Sequence, residues 1–148
     1  MVRLWDLRTS GAESKFTNQF ECPGAALCVD VDDHALFVGM FDHHIARFDM
    51  RHAGLVFNAA GAKGYVTGIV CRGDKLVSGD SSGEVRVLES ATADATATLV
   101  PEGEPAFTLT ASAVDAHGDF WCFSGHKHGR VIGTHVQSAE PHTAETVE

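Results

Sequence analysis

The groups in this chain most able to do chemistry are its nine histidines, its carboxylates and its four cysteines. Two histidine groupings are close in sequence, His43-His44 and His126-x-His128, and both fall in short polar turns. A zinc site needs three or four ligands converging on one point. No cysteine joins either turn, so solvated turn histidines and no bound metal are expected. Asp30, Asp32, Asp33 and Asp115 are candidates for acid–base work. Asp30 and Asp115 occupy matching positions in the repeated units described below, which points to a shared structural job. No serine stands in G-x-S-x-G, and no G-x-G-x-x-G or G-x-x-x-x-G-K run follows a strand. The chain therefore reads as a non-enzyme with no cofactor. One pattern remains, Trp5-Asp6-Leu7-Arg8 and Phe48-Asp49-Met50-Arg51, each with an arginine two residues past an aspartate. A guanidinium pairs bidentately with carboxylates and can anchor a protein partner; the plainer reading is a solvated arginine at a strand end.

Cys22, Cys28, Cys71 and Cys122 form no C-x-x-C, and the last three sit in apolar runs, as small buried hydrophobes do. A reducing compartment fits them best. Lys and Arg number 11 against 20 Asp and Glu, a formal net charge of −9. Broad nucleic-acid affinity comes from many basic side chains neutralising phosphates, so that partner class is not expected. No apolar run approaches the roughly 18 residues of a membrane helix. An intracellular setting, cytoplasmic or nuclear, is the expectation.

The elements that must position these residues come from an internal repeat. Ala35–Arg51, Lys75–Ser90 and Trp121–Val136 superimpose on Gly39, Gly79 and Gly125, which stand 40 and 46 residues apart. Each glycine is followed by a short polar turn and then, six residues on, by Ile45, Val85 or Val131. The pattern is an apolar strand, a hairpin turn and an alternating strand. Before each unit, 28–34, 68–74 and 113–119 each give a short apolar strand followed by an acidic or glycine turn, with weaker strand candidates at 15–20, 54–58 and 97–100. The stretch 90–98 lacks a 3.6-residue apolar face and reads as a loop or edge strand rather than a helix. Four strands per unit of about 40 residues make a propeller blade, and the fold class is all-β.

Val2-Arg3-Leu4-Trp5-Asp6-Leu7-Arg8 superimposes on Ile45–Arg51 and resembles the strand ending of a WD40 repeat. The Trp-Asp pair becomes Phe48-Asp49, then Leu88-Glu89, then Thr134-His135. The turn aspartate of that family is kept at Asp42, with Ser82 and His128 in the matching places. The resemblance implies a partial β-propeller of about three four-stranded antiparallel blades plus an incomplete N-terminal blade. It implies a protein-binding scaffold, with Trp5, Asp6, Arg8, Asp49 and Arg51 as candidate contact residues. The W-D-x-R endings also resemble those by which some propellers dock on the adaptor of cullin-4 ubiquitin ligases as substrate receptors.

The expected organisation is a propeller segment over 1–136, with a partial blade at 1–20, blades at 25–58, 66–100 and 107–136, and a disordered tail at 137–148. The opening strand reads as the third strand of a blade, so the chain is expected to be a fragment of a longer propeller or to close a ring by self-association. Leu36, Val38, Leu76, Val77, Cys122 and Phe123 are expected in the core. Ile45, Val85 and Val131 should pack inward, with the three repeat glycines at the crowded inner edge.

Overall fold

The computed structural model describes residues 1–6, 8, 16–99, 106–111 and 115–137. The first sheet pairs Val2–Trp5 (β1) with Phe16–Phe20 (β2). The second is a four-stranded meander of Ala26–Asp32 (β3), Ala35–Met40 (β4), His44–Asp49 (β5) and Gly54–Ala60 (β6). The third repeats it with Val66–Arg72 (β7), Lys75–Asp80 (β8), Val85–Glu89 (β9) and Ala95–Leu99 (β10). The fourth contains Ala106–Ala111 (β11), Phe120–His126 (β12) and Val131–Val136 (β13). All pairings are antiparallel, and one 3-10 turn at Lys127–Gly129 is the only helical element among the described residues.

The repeat is written into the backbone. His43, Gly83 and Gly129 take up positive φ of 71°, 94° and 77° at one position in successive turns. Asp33 and Gly73 share another such position, with φ of 50° and 59°. Two units thus place glycine where the first forces a histidine into the left-handed region. The first strands β3, β7 and β11 carry a register break at Ala26/Cys28, Val66/Gly68 and Ala106/Thr108. Such a bulge increases local twist and bends the strand.

Strands β4 and β8 are buried on both faces, and alternate residues go to opposite neighbours. Leu36 and Val38 of β4 join Phe20, Met40, Ala46 and Phe48 in a core against the first sheet. Phe37, between them, points the other way and packs with Ile45, Val66, Ile69, Cys71, Leu76 and Leu88. Val77 of β8 joins Val85, Val87, Phe120, Cys122 and Val136 against the fourth sheet. The hydrophobic core is therefore three layers between stacked sheets, and each fully buried aliphatic or aromatic side chain contributes about 1.5–3 kcal/mol. A Cβ at Gly39 would lie 2.5 Å from Cys28 Sγ and from Val66 Cγ1, so close approach of two sheets requires glycine there.

Two expected core residues lie elsewhere. Phe123 is 38% exposed and Val131 is 70% exposed. Alternation along β12 buries Phe120, Cys122 and Ser124 against the third sheet and turns Trp121 and Phe123 to the opposite face. No other sheet covers that face among the described residues, so the four sheets remain unclosed. The turn expected at the end of 113–119 lies at 116–118; the strand residues before it, 113–114, and the tail at 138–148 lie outside the described residues.

Candidate protein-interaction surface

Each Asp-x-Arg ending folds into the same local clamp. Arg8 donates from its backbone N–H and Nε to Asp6 Oδ1, at 2.9 and 3.0 Å, and from Nη2 to Oδ2 at 2.9 Å. Arg51 does likewise to Asp49, at 2.9 and 3.1 Å to Oδ1 and 3.0 Å to Oδ2. His52 Nδ1 lies 3.2 Å from Asp49 Oδ2 as well. The fork lowers the pKa of both carboxylates and raises those of both arginines. The Arg8 clamp follows β1 and the Arg51 clamp follows β5, matching places in the repeat, and each presents a guanidinium whose side chain is largely exposed, 90% for Arg8 and 60% for Arg51. Exposed ion pairs add little stability, but a bidentate clamp fixes the direction in which the cation points.

The aromatic residues of the two endings differ. Phe48 is buried and meets Phe20 of the preceding sheet at 5.5 Å between ring centroids. Trp5 is 44% exposed, at the end of β1. Its sheet is the first of the stack, and no earlier sheet covers it among the described residues. Beside Arg51, a cleft of about 430 Å³ opens between the second and third sheets, lined by Asp32, His34, Arg47, Asp49, Val56 and Gly73, among others.

Other sequence candidates have structural jobs. Asp30 Oδ2 accepts the Cys71 N–H at 2.8 Å and Arg72 Nη1 at 3.0 Å, tying β3 to β7. Asp32 Oδ2 accepts the Gly73 N–H at 2.6 Å across the same seam. Asp115 instead accepts the His117 and Asp119 N–H groups of its own turn, so it and Asp30 do not share a role. His44 Nδ1 lies 2.8 Å from the Asp42 carbonyl, and His43 is exposed. His126 is not solvated: it is buried, with Nε2 2.8 Å from Ser124 Oγ. Among the described residues no group of three metal-ligating side chains forms. Burial pushes the thiols of Cys28, Cys71 and Cys122 up to about 11, 12 and 11, well above the range of reactive thiolates.

The buried turn carboxylate sought at Asp42 and its counterparts is Asp80. Its Oδ2 accepts the N–H groups of Lys63 and Gly64 at 3.0 and 3.2 Å. Its Oδ1 accepts the Ser82 N–H and hydroxyl at 2.8 and 2.5 Å. Burial pushes its pKa up, but the Ser82 and backbone donors outweigh that and hold it below the ordinary value. Asp80 directly follows the repeat glycine Gly79, a signal that an alignment of turns alone passes over.

No family model matches the chain, and no curated protein does. Solved structures do. The chain superimposes on the β-propeller domain of Cps50 (Swd1) from Myceliophteria thermophila with a TM-score of 0.67 at 15% identity, over 83% of this chain and 39% of that one. The fold is a segment of a β-propeller. The RRP9 WD40 repeats match this propeller segment with a TM-score of 0.60 at 19% identity, over 68% of it and 30% of their own chain. U3-55K matches with a TM-score of 0.67 at 17% identity, over 82% and 38%. The segment thus spans about two-fifths or less of each of these three chains.

Proposed function

We propose that the propeller segment is a non-enzymatic protein–protein interaction scaffold of the WD-repeat type. The observation that carries this is its propeller fold, in which stiff stacked sheets hold short turns and an inter-blade cleft in fixed positions. The two clamped arginines, Arg8 and Arg51, with Trp5, Asp6 and Asp49, form the proposed contact end. An intracellular setting in cytoplasm or nucleus goes with four free cysteines. The test is affinity capture on the full chain, wild type against an Arg8→Glu/Arg51→Glu variant of equal thermal stability. Loss of a set of captured proteins in the variant supports the reading. An unchanged set removes these arginines from it, and capture no richer than from an unrelated domain of equal charge removes the scaffold reading.

A second reading is docking on the cullin-4 adaptor as a substrate receptor, favoured by the identical clamps at two successive strand endings. Its mark is the adaptor among the proteins lost with the double variant, and retention of the adaptor sinks it.

The uncovered face of the fourth blade belongs to the same proposal. Trp121 is 48% exposed, with its ring 6.4 Å from Phe123 and 5.3 Å from His135. Contiguous exposed aromatics of this kind mark an interface. Further blades, from additional polypeptide or from a second copy, cover it. Light scattering on this chain should give a mass above the monomer, and Trp121→Ser/Phe123→Ser should restore the monomer; a wild type that is monomeric at all concentrations rejects self-association.

A further inference from the structure

We propose that the chain binds a second copy of itself head to tail, the Trp121–Phe123 face of the fourth sheet covering Leu27, Val29 and Val31 of β3. The proposal rests on the self-association reading above and names the surface that the second copy meets.

Each of these faces is half of a contact that the chain already makes once. Between the second and third sheets, Phe37 and Ile45 share a core with Ile69, Cys71 and Leu76. Phe37 stands two residues before Gly39 and Ile45 six after it, and Phe123 and Val131 hold the same places about Gly125. Val29 and Val31 pair with Val38 and Leu36 of β4, as Ile69 and Cys71 pair with Ser78 and Leu76 of β8. Phe123 and Val131 therefore repeat the outgoing half of that core, and Val29 and Val31 repeat the receiving half. Ile69 and Cys71 are 5% and 1% exposed, but Val29 and Val31 are 50% and 46% exposed. One layer of inter-sheet core is thus divided between the two ends of the stack.

The first sheet explains the exposure at β3. Cys28, Asp30 and Asp32 reach the third sheet, so the alternate residues Leu27, Val29 and Val31 turn toward the first. That sheet has only β1 and β2 among the described residues, in the third- and fourth-strand places of the repeat. Val2 and Phe20 pack with Leu36, Val38 and Phe48, farther out along the second sheet. The two strand places inside β1 admit β12 and β13 of an incoming copy, with Phe123 over Val29 and Val31. Gly133 lets the Phe123 ring lie against its own sheet, since a Cβ there would stand 3.0 Å from the ring. A flat aromatic surface at one end thus meets a row of aliphatic side chains at the other, the pairing that Phe37 makes with Ile69.

A contact between two different patches is heterologous, and that property gives the test. In light scattering on the full chain, the wild type should exceed the 15.8 kDa chain mass. Val29→Ser/Val31→Ser and Trp121→Ser/Phe123→Ser should each be monomeric alone, because every copy then lacks the same half. Mixed in equal amounts, they should form a one-to-one complex of twice the chain mass, the intact aromatic face of the first meeting the intact β3 face of the second. Thermal unfolding checks that both variants fold. Val31→Thr, of the same shape, should raise the dissociation constant about tenfold, a readout that stands if a serine pair unfolds. A wild type that is monomeric at all concentrations rejects self-association as a whole. Association that survives Val29→Ser/Val31→Ser, or folded variants that do not combine on mixing, overturns the head-to-tail contact alone.

Discussion

Asp30 and Arg72 belong to different sheets, yet Arg72 Nη1 lies 3.0 Å from Asp30 Oδ2, the same oxygen that accepts the Cys71 N–H at 2.8 Å. One carboxylate thus satisfies a buried backbone donor and an arginine on the neighbouring blade. Stacked sheets share no hydrogen-bond ladder, so such side-chain ties fix their relative register. Asp30→Ala should cost about 1–3 kcal/mol, because the Cys71 N–H is left without its acceptor. The urea midpoint should fall with an unchanged slope, and Asp30→Asn should lose less.

Asp80 makes stability depend on acid. Its folded pKa lies below the ordinary value near about 3.9. Its contribution is therefore fully present above that value and is lost as pH falls through the folded pKa. Chemical denaturation between about pH 6 and 2 should show wild type losing stability toward the acid end, and Asp80→Asn should flatten that part of the profile. At neutral pH Asp80→Ala should cost about 2–3 kcal/mol, since the Lys63, Gly64 and Ser82 N–H groups lose their acceptor.

Gly39→Ala should destabilise by about 1–3 kcal/mol, the cost of overpacking, because its Cβ would stand 2.5 Å from two side chains. Gly54→Ala is the control. A Cβ there meets nothing within 4 Å, and thermal unfolding should be nearly unchanged.

Val85→Asp should abolish folding, while Val131→Asp at the same repeat position should be tolerated within about 0.5 kcal/mol. Val85 is buried between the third and fourth sheets and Val131 is 70% exposed. Circular dichroism and soluble yield distinguish them, and equal loss in both would show that folding of the chain, and not only its association, needs an apolar residue on that face of β13.

The repeat glycines, the alternation after them and the turn residues between them determined the strands, their hairpin pairing and the blade as the unit of structure. These are local matters: period-two apolar patterning and turn chemistry act within about 40 residues. The Asp-x-Arg clamps were equally local, since both partners lie two residues apart. Sequence periodicity treats Phe37 and Phe123, or Val85 and Val131, as equivalent, and it cannot tell which face of a strand meets another sheet. Phe123 and Val131 carry the core pattern yet stand on the uncovered face. Asp80, Arg47 and His126 were hidden similarly: a polar residue beside a turn looks solvated until packing places it inside. Stacking of separate sheets decided which charges were enclosed, which carboxylates found backbone donors across a seam, and that the Arg47 Nε–H has no hydrogen-bond partner among the described residues.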